Sequence, residues 1–230
     1  MEEIKKLRKR WFLRLRSILR LFIKKTEFVY LGEEVKPGGI ILSNHDGAKG
    51  PLAFELYSNL PFRFWGTYEM NSNLKSVYIY LSKIYFTQKK KWNIHLARLL
   101  CIIAAPLLNI YYKGLNLIST YPDMRLKKTL SESIEVLKNN HNLVIFPEMS
   151  EDGYFKELVG FHDGVVFFFE YCLKKNMNAP IYVAYYQRDK KKCIIDKPVY
   201  IKDLLDLGLS REELAKKLCD RCNELGVTNI

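Results

Sequence analysis

The sequence lacks the short motifs that identify several large classes of enzyme. It contains no GxSxG nucleophile elbow, no HExxH zinc motif, no Walker phosphate loop and no GxGxxG dinucleotide fingerprint. We therefore expect neither a metal nor a nucleotide cofactor. Internal repeats and low-complexity linkers are absent as well, which favours one sizeable domain with a short appendage in a chain of 230 residues.

Cysteine is scarce and does not form a disulfide pattern. The five cysteines lie at positions 101, 172, 193, 219 and 222, and an odd, scattered set favours a reducing compartment. Cys219 and Cys222 form a single CxxC, but a zinc site needs two more ligands at suitable spacing, and the sequence offers none. We predict that this pair packs inside a helix.

Acidic residues are few in relation to basic ones, and the imbalance is concentrated at the start of the chain. The net charge is +12, and residues 1–25 hold ten Lys or Arg against two Glu. Such a balance favours an anionic partner: a nucleic acid, a membrane surface or an acidic carrier protein. Because the chain has no recognisable motif for reading nucleic acids and its charge lies on one terminal segment, we expect no nucleic acid as partner.

Residues 1–25 also carry a stripe of apolar residues at helical spacing, opposite a cationic face. The stripe comprises Ile4, Leu7, Trp11, Leu15, Ile18 and Phe22. No apolar run there exceeds three residues, which argues against a signal peptide and a membrane-spanning helix. We predict an amphipathic helix that binds an anionic membrane surface and makes the protein peripheral or monotopic at the cytoplasmic face. Docking of the stripe on the protein's own core is the alternative.

Residues 26–230 alternate between short β-rich runs and stretches of helical length. The β-rich runs lie at 28–30, 40–42, 62–65, 143–146 and 181–185. This alternation predicts an α/β fold, a single layered domain with a mostly parallel or mixed sheet flanked by helices. Asp123 predicts the start of one helix, and a capping box of Ser210 and Glu213 predicts a C-terminal helix that fades at Gly226.

One stretch, residues 99–112, contains no charged residue for 14 positions. It is too short to cross a bilayer whose apolar core is about 30 Å thick, and Pro106 is expected to kink it. Two interpretations remain open at this point. The stretch is either a buried core helix or an apolar lid that dips into a membrane beside an acyl-chain pocket.

Two polar loops, SNHDG and PEMSEDG, each follow an apolar strand. Ligands of α/β sheets bind beyond the carboxyl ends of the strands, so we expect the loops to face one crevice in which His45 and Glu148 converge. The pKa of a free imidazole, about 6.5, allows it to take and return a proton near neutral pH. Asn44 is expected to hold the loop, and Gly50 to allow close approach of the backbone.

These loops resemble motifs of the glycerolipid acyltransferase superfamily, typified by the 1-acylglycerol-3-phosphate acyltransferases. The family's NHxxxxD and FPEG blocks have counterparts in Asn44-His45 and in residues 146–148. Three further stretches are similar to its other blocks and follow the family's order: FWGTYEM at 64–70, GLNLIST at 114–120 and APIYVAYY at 179–186. The similarity runs from about residue 38 to residue 202.

The chain departs from this family's pattern and is identified as a divergent member. Gly50 replaces the aspartate that, by resemblance, orients the imidazole. Asp46, Glu55 and Asp163 are candidates to take its place.

Two arginines of the family pattern are also replaced. Glu151 and Thr120 stand at their positions, and Arg125 follows five residues after Thr120. These changes weaken the case for a glycerol 3-phosphate ester as the acceptor.

The resemblance implies an O-acyltransferase that moves a fatty acyl chain from acyl-ACP or acyl-CoA to a hydroxyl of a lysophospholipid or related glycerolipid. No cofactor is implied beyond the acyl donor as co-substrate. The implied catalytic residues are His45, as general base, Asp46 and Glu148. The implied substrate-binding residues are Asn44, Lys49, Gly50, Thr120, Arg125, Pro147 and Ser150. The alternative is a catalytically silent lipid-binding relative at the membrane surface.

Overall fold

A mixed sheet of eight strands lies at the centre of the protein. The computed structural model describes residues 7–150 and 152–229. Within them the strands are β1 (Glu27–Tyr30), β2 (Ile40–Ser43), β3 (Phe62–Thr67), β4 (Ile118–Thr120), β5 (Asn142–Ile145), β6 (Pro180–Gln187), β7 (Lys192–Ile195) and β8 (Val199–Tyr200). Their order across the sheet is β1-β7-β6-β2-β5-β3-β4, and β8 also pairs with β6.

Most of the neighbouring strands run parallel. The exceptions are β7 and β8, which run antiparallel to β6. Every residue of β2, β5 and β6 is buried, as expected for central strands that have helices on both faces. The five predicted β-rich runs all form strands of this sheet.

Helices cover both faces of the sheet. They are α1 (Arg10–Phe22), α2 (Lys49–Tyr57), α3 (Leu74–Ile79), a π-helix (Tyr80–Lys89), α4 (Ile94–Leu115), α5 (Leu126–Lys138), α6 (Gly164–Lys174), α7 (Ile201–Leu205) and α8 (Arg211–Val227). Residues of α5, α6 and α8 share the core on one face, and α1, α2 and the end of α4 pack on the other. This layered arrangement confirms the predicted α/β fold class.

The two predicted helix starts are present. The helix after Asp123 begins at Leu126, and the Ser210–Glu213 capping box forms with both of its hydrogen bonds at the start of α8. Cys219 and Cys222 are buried in that helix, which agrees with the predicted packing role.

The described part of the predicted amphipathic helix is α1, whereas Ile4 lies outside the described residues. Its orientation leaves part of the predicted stripe exposed. The fully buried residue is Phe12, which is not part of the predicted stripe, and it packs against Tyr111 and Gly114 of α4. Ile18 is 53% and Phe22 is 82% exposed, so this part of the stripe does not dock on the core.

Three arginines of the N-terminal segment bind α2 and form what we call the arginine clasp. Arg8 donates to Glu55 in a bidentate pair, with a shortest distance of 2.8 Å, and the Nε of Arg16 lies 3.9 Å from the same carboxylate. Arg16 and Arg20 also donate to the carbonyl of Leu56 at the end of α2. These three cations therefore face the protein and are not available to the predicted anionic membrane surface.

Residues 99–112 belong to α4, which is not a buried core helix. Pro106 lies inside this continuous helix. With 22 residues, α4 is long and apolar enough to cross a membrane by length and composition alone. The uncharged stretch, which is itself too short to span, is thus part of a longer helix that extends beyond it at both ends.

Candidate active site

The site lies at the carboxyl edge of the sheet, where β2 is flanked by β5 and β6. All three strands are parallel, so the loops that follow β2 and β5 lie side by side. Oε2 of Glu148 accepts a hydrogen bond of 2.7 Å from the backbone N–H of His45. The two loops converge as predicted, and the contact uses the backbone of the histidine rather than its ring.

Asn44 anchors the histidine loop to β6. Its Nδ2 donates to the backbone carbonyl of Tyr186 at 3.2 Å, and its Oδ1 accepts from the backbone N–H of Tyr186 at 2.7 Å. The side chain is buried. Asn44 therefore fixes the position of the loop, and its predicted contact with substrate remains a prediction.

Gly50 is required by the backbone of the same loop. A Cβ at this position would lie 2.7 Å from the carbonyl oxygen of Asn44 and 2.8 Å from that of His45. The N–H of Gly50 donates to the carbonyl of His45 at 3.1 Å. The aspartate of the family motif therefore does not fit here unless the loop moves.

The imidazole of His45 is held between two aromatic rings. The ring of Phe146 contacts it edge-on and that of Tyr154 stacks on it, each with a centroid distance of 5.1 Å. Nδ1 is buried and has no hydrogen-bond partner among the described residues. Burial lowers the pKa of His45 to about 4, with further lowering by Lys89 and Lys90 and an opposing contribution from the backbone of Gly47. The imidazole is thus neutral at physiological pH.

The carboxylates near this loop do not take over the role of the missing aspartate. Asp46 has a positive φ of 42°, and its buried Oδ2 has no hydrogen-bond partner among the described residues. Burial raises its pKa. Glu55 is engaged by the arginine clasp, and Asp163 is exposed before α6. Asp46 and these alternatives therefore leave Nδ1 of His45 without a carboxylate partner.

Glu148 is the second titratable group of the site. Desolvation raises its pKa to about 7, while the hydrogen bond from the His45 amide acts in the opposite direction. Its backbone pairs with that of Phe161. Glu148 therefore organises the histidine loop, and it changes charge close to neutral pH.

The sequence interpretation missed the residues that cover the histidine. Lys89 is the last residue of the π-helix, and its Nζ donates to Oγ of Ser150 at 2.6 Å. The Nζ atoms of Lys89 and Lys90 each lie 5.4 Å from the ring centroid of Tyr154. Tyr154 directly follows the PEMSEDG loop in the sequence, so its place beside the histidine could have been predicted. The two lysines lie about 60 residues earlier in the sequence, and no local pattern connects them to the loop.

Three of the predicted substrate-binding residues line this region. Ser150 is buried beneath Lys89, and the carbonyl of Pro147 accepts from the N–H of His162 at 2.8 Å. Lys49 is the first residue of α2; burial and Arg188 lower its pKa, whereas Asp46 raises it. Their roles remain predictions. Glu151, in the same loop, lies outside the described residues.

Thr120 and Arg125 are not brought to the histidine. Thr120 ends β4, three strands away from β2, which corresponds to about 14 Å at the usual strand spacing. Arg125 forms an ion pair of 2.7 Å with Asp123 and lies 4.5 Å from the ring centroid of Tyr121. These residues thus form a separate surface at the edge of the sheet.

Comparison with known proteins gives a structural likeness only. No known family profile matches the chain, and no curated protein matches it. Among solved structures, the chain is similar to the 1-acyl-sn-glycerophosphate (LPA) acyltransferase PlsC from Thermotoga maritima, with 18% sequence identity and a TM-score of 0.45. The match covers 98% of this chain and 78% of that one. At this identity and TM-score the likeness does not establish the chemistry of the site.

Proposed function

We propose that the protein is an O-acyltransferase that moves a fatty acyl chain from a thioester donor, acyl-CoA or acyl-ACP, to a hydroxyl of a lysophospholipid or related glycerolipid. The observation that carries this proposal is the neutral imidazole of His45. A loop whose backbone is held by Glu148, Asn44 and Gly50 positions it at the carboxyl edge of the sheet. The resemblance of the motifs to the glycerolipid acyltransferases supports the same reaction.

In this proposal His45 acts as general base. It takes the proton of the acceptor hydroxyl while that oxygen attacks the thioester carbonyl carbon, giving a tetrahedral oxyanion. Collapse of this intermediate breaks the carbon–sulfur bond, and the imidazolium returns its proton to the leaving thiolate. General-base assistance contributes about 10²–10⁴-fold to such a step. No further cofactor is required.

We place the enzyme at the cytoplasmic face of a membrane as a peripheral or monotopic protein. The exposed apolar residues of α1, Ile18 and Phe22, support contact with the membrane. Two exposed basic residues of the described helix, Arg10 and Arg14, support an anionic surface. The acyl donor, the lipid acceptor and this membrane are the partners we propose for the chain.

Two observations favour a second candidate, a catalytically silent lipid-binding relative. Nδ1 of His45 has no hydrogen-bond partner among the described residues, so the imidazolium that forms during general-base catalysis lacks the usual stabilising carboxylate. The lowered pKa of His45 points in the same direction, because a weak base has little driving force to take a proton.

The test is transfer from labelled acyl-CoA or acyl-ACP to a panel of lysophospholipids and other lipid alcohols. The wild type is compared with His45→Ala and with His141→Ala, a change of a histidine before β5. We expect the first variant to lose transfer by at least about 100-fold and the second to keep it. Transfer that is unchanged in His45→Ala would sink the proposal. No transfer by folded wild-type protein that binds lipid would favour the silent relative.

A further inference from the structure

Helix α4 carries an apolar face that no other part of the described protein covers. Seven large side chains form this face, and they are between 39% and 70% exposed: Leu96, Leu99, Leu100, Ile102, Ile103, Leu107 and Ile110. We call this set the α4 face. Single scattered apolar residues are normal on a protein surface, but a contiguous set of this size marks a site that binds a partner or a membrane.

The opposite side of α4 is packed on the protein along its whole length. Ala97, Cys101 and Ala105 are buried, the latter two against α3 and the π-helix. At the other end Gly114 lies against the ring of Phe12, and a Cβ there would come within 2.0 Å of that ring. The helix therefore lies along the protein surface, and only one of its sides is available to an apolar environment.

The charged residues of the chain segment that contains α4 have one sign. From residue 70 to residue 122 the sequence contains no Asp or Glu. The same stretch contains seven basic residues: Lys75, Lys83, Lys89, Lys90, Lys91, Arg98 and Lys113. An apolar face in a purely cationic segment is complementary to an anionic bilayer, because the side chains enter the acyl region while Lys and Arg reach the lipid phosphates.

We propose that the α4 face docks on an anionic lipid bilayer, with the helix lying in the plane of the interface. This surface is distinct from residues 1–25, and its docking does not depend on acyl transfer. The geometry also connects it to the candidate site. The π-helix that precedes α4 ends at Lys89, which binds Ser150 beside the ring of Tyr154 that covers His45. Docking of α4 therefore holds Lys89, and with it the ring of Tyr154 that covers His45, at the level of the lipid headgroups.

The first test measures binding to vesicles made of phosphatidylcholine and phosphatidylglycerol, without an acyl donor. The variant Leu99→Gln/Ile103→Gln/Leu107→Gln changes the α4 face with a residue that keeps helical propensity. The control, Leu207→Gln/Leu209→Gln/Val227→Gln, changes exposed side chains in the connection between α7 and α8 and at the end of α8, on the other face of the sheet. Folding is checked by circular dichroism, and self-association by size-exclusion chromatography without lipid.

We expect the α4 variant to bind these vesicles at least about tenfold more weakly than the wild type and the control to bind equally. Equal binding of the α4 variant, or no binding of the wild type, overturns the proposal. A wild-type dimer that becomes monomeric in the α4 variant also overturns it, because the occupant is then a second copy of the chain.

The second test needs only one substitution at an exposed position. All five cysteines are free and buried, so Ile103→Cys provides an accessible thiol for an environment-sensitive fluorophore, and Leu207→Cys provides the matched control. We expect a blue shift on adding the same vesicles for the label at position 103 only. Equal responses at the two positions, or none at 103, contradict docking through the α4 face.

Discussion

At the scale of single residues, Gly50 is fixed by the backbone carbonyls of Asn44 and His45, which leave no room for a Cβ. We predict that Gly50→Ala lowers the free energy of unfolding by about 1–3 kcal/mol, because the loop must move to accept the methyl group. Gly164→Ala is the control, since a Cβ there meets nothing within 4 Å. Urea unfolding measures both variants, and an equal effect at the two positions contradicts the close approach at Gly50.

His45 makes folding depend on pH in a direction that the structure fixes. Its pKa is about 4 in the folded protein and about 6.5 in an unfolded chain. The unfolded state therefore binds the proton more readily, and the stability that His45 contributes is fully present above about pH 6.5 and is lost as the pH falls toward 4.

We predict that the wild type loses about 1–2 kcal/mol more than His45→Gln between pH 7.5 and pH 4.5, after allowance for partial solvation. Urea unfolding at both pH values measures the difference, and His141→Gln is the control that should behave like the wild type. A wild-type loss no larger than that of His45→Gln contradicts a desolvated imidazole.

At the scale of secondary-structure elements, the arginine clasp ties the N-terminal segment to α2, the helix that begins beside the histidine loop. Glu55 receives both Arg8 and Arg16, and all three side chains are buried. We predict that Glu55→Gln destabilises the protein by about 3–5 kcal/mol, because it leaves two buried guanidinium groups without their counter-charge.

The matched control for the clasp is Glu170→Gln, which removes the partner of Arg211 from an exposed bidentate pair. Such surface pairs contribute about 0–1 kcal/mol. Thermal unfolding of both variants distinguishes the two cases. Similar effects of the two substitutions would mean that the clasp does not hold α1 on α2.

The elements differ in how far the sequence could predict them. Strands β2, β5 and β6 are buried on both faces and are therefore readable as apolar runs, and the Ser210–Glu213 capping box is local. The docked face of α1 was not predictable from periodicity, because the clasp replaces apolar contacts with ion pairs to Glu55, 47 residues away from Arg8. The sequence left two interpretations of α4 open, a buried core helix and a membrane-dipping lid, since apolar composition does not distinguish a buried face from an exposed one.

At the scale of the whole molecule, the topology explains which part of the site could be predicted. His45 and Glu148 follow two parallel neighbours, β2 and β5, so their approach is a consequence of the sheet. Thr120 is the last residue of β4 at the edge of the sheet, and the motif order does not reveal its distance from His45. Lys89 contacts Ser150 and Tyr154 of the site from a helix distant in the sequence, and no local pattern in the sequence encodes this approach.

The contact between Phe12 and Gly114 joins α1 and α4 into one packed unit, and each helix has exposed apolar residues. If both faces enter the same bilayer, their contributions to the binding free energy add, because the second contact is made without further loss of translational freedom. We predict that Ile18→Gln/Phe22→Gln and Leu99→Gln/Ile103→Gln/Leu107→Gln each weaken binding to phosphatidylglycerol-containing vesicles. Their combination should weaken it by about the product of the two factors.

Vesicle flotation over a range of lipid concentrations gives the three partition coefficients, and 0.5 M salt separates the electrostatic contribution from the apolar one, because it shortens the Debye length to less than about 8 Å. A combined variant that binds no more weakly than the weaker of its parents contradicts a shared interface. In that case the two helices do not insert into one bilayer together, and the exposed residues of α1 and of α4 contact different partners.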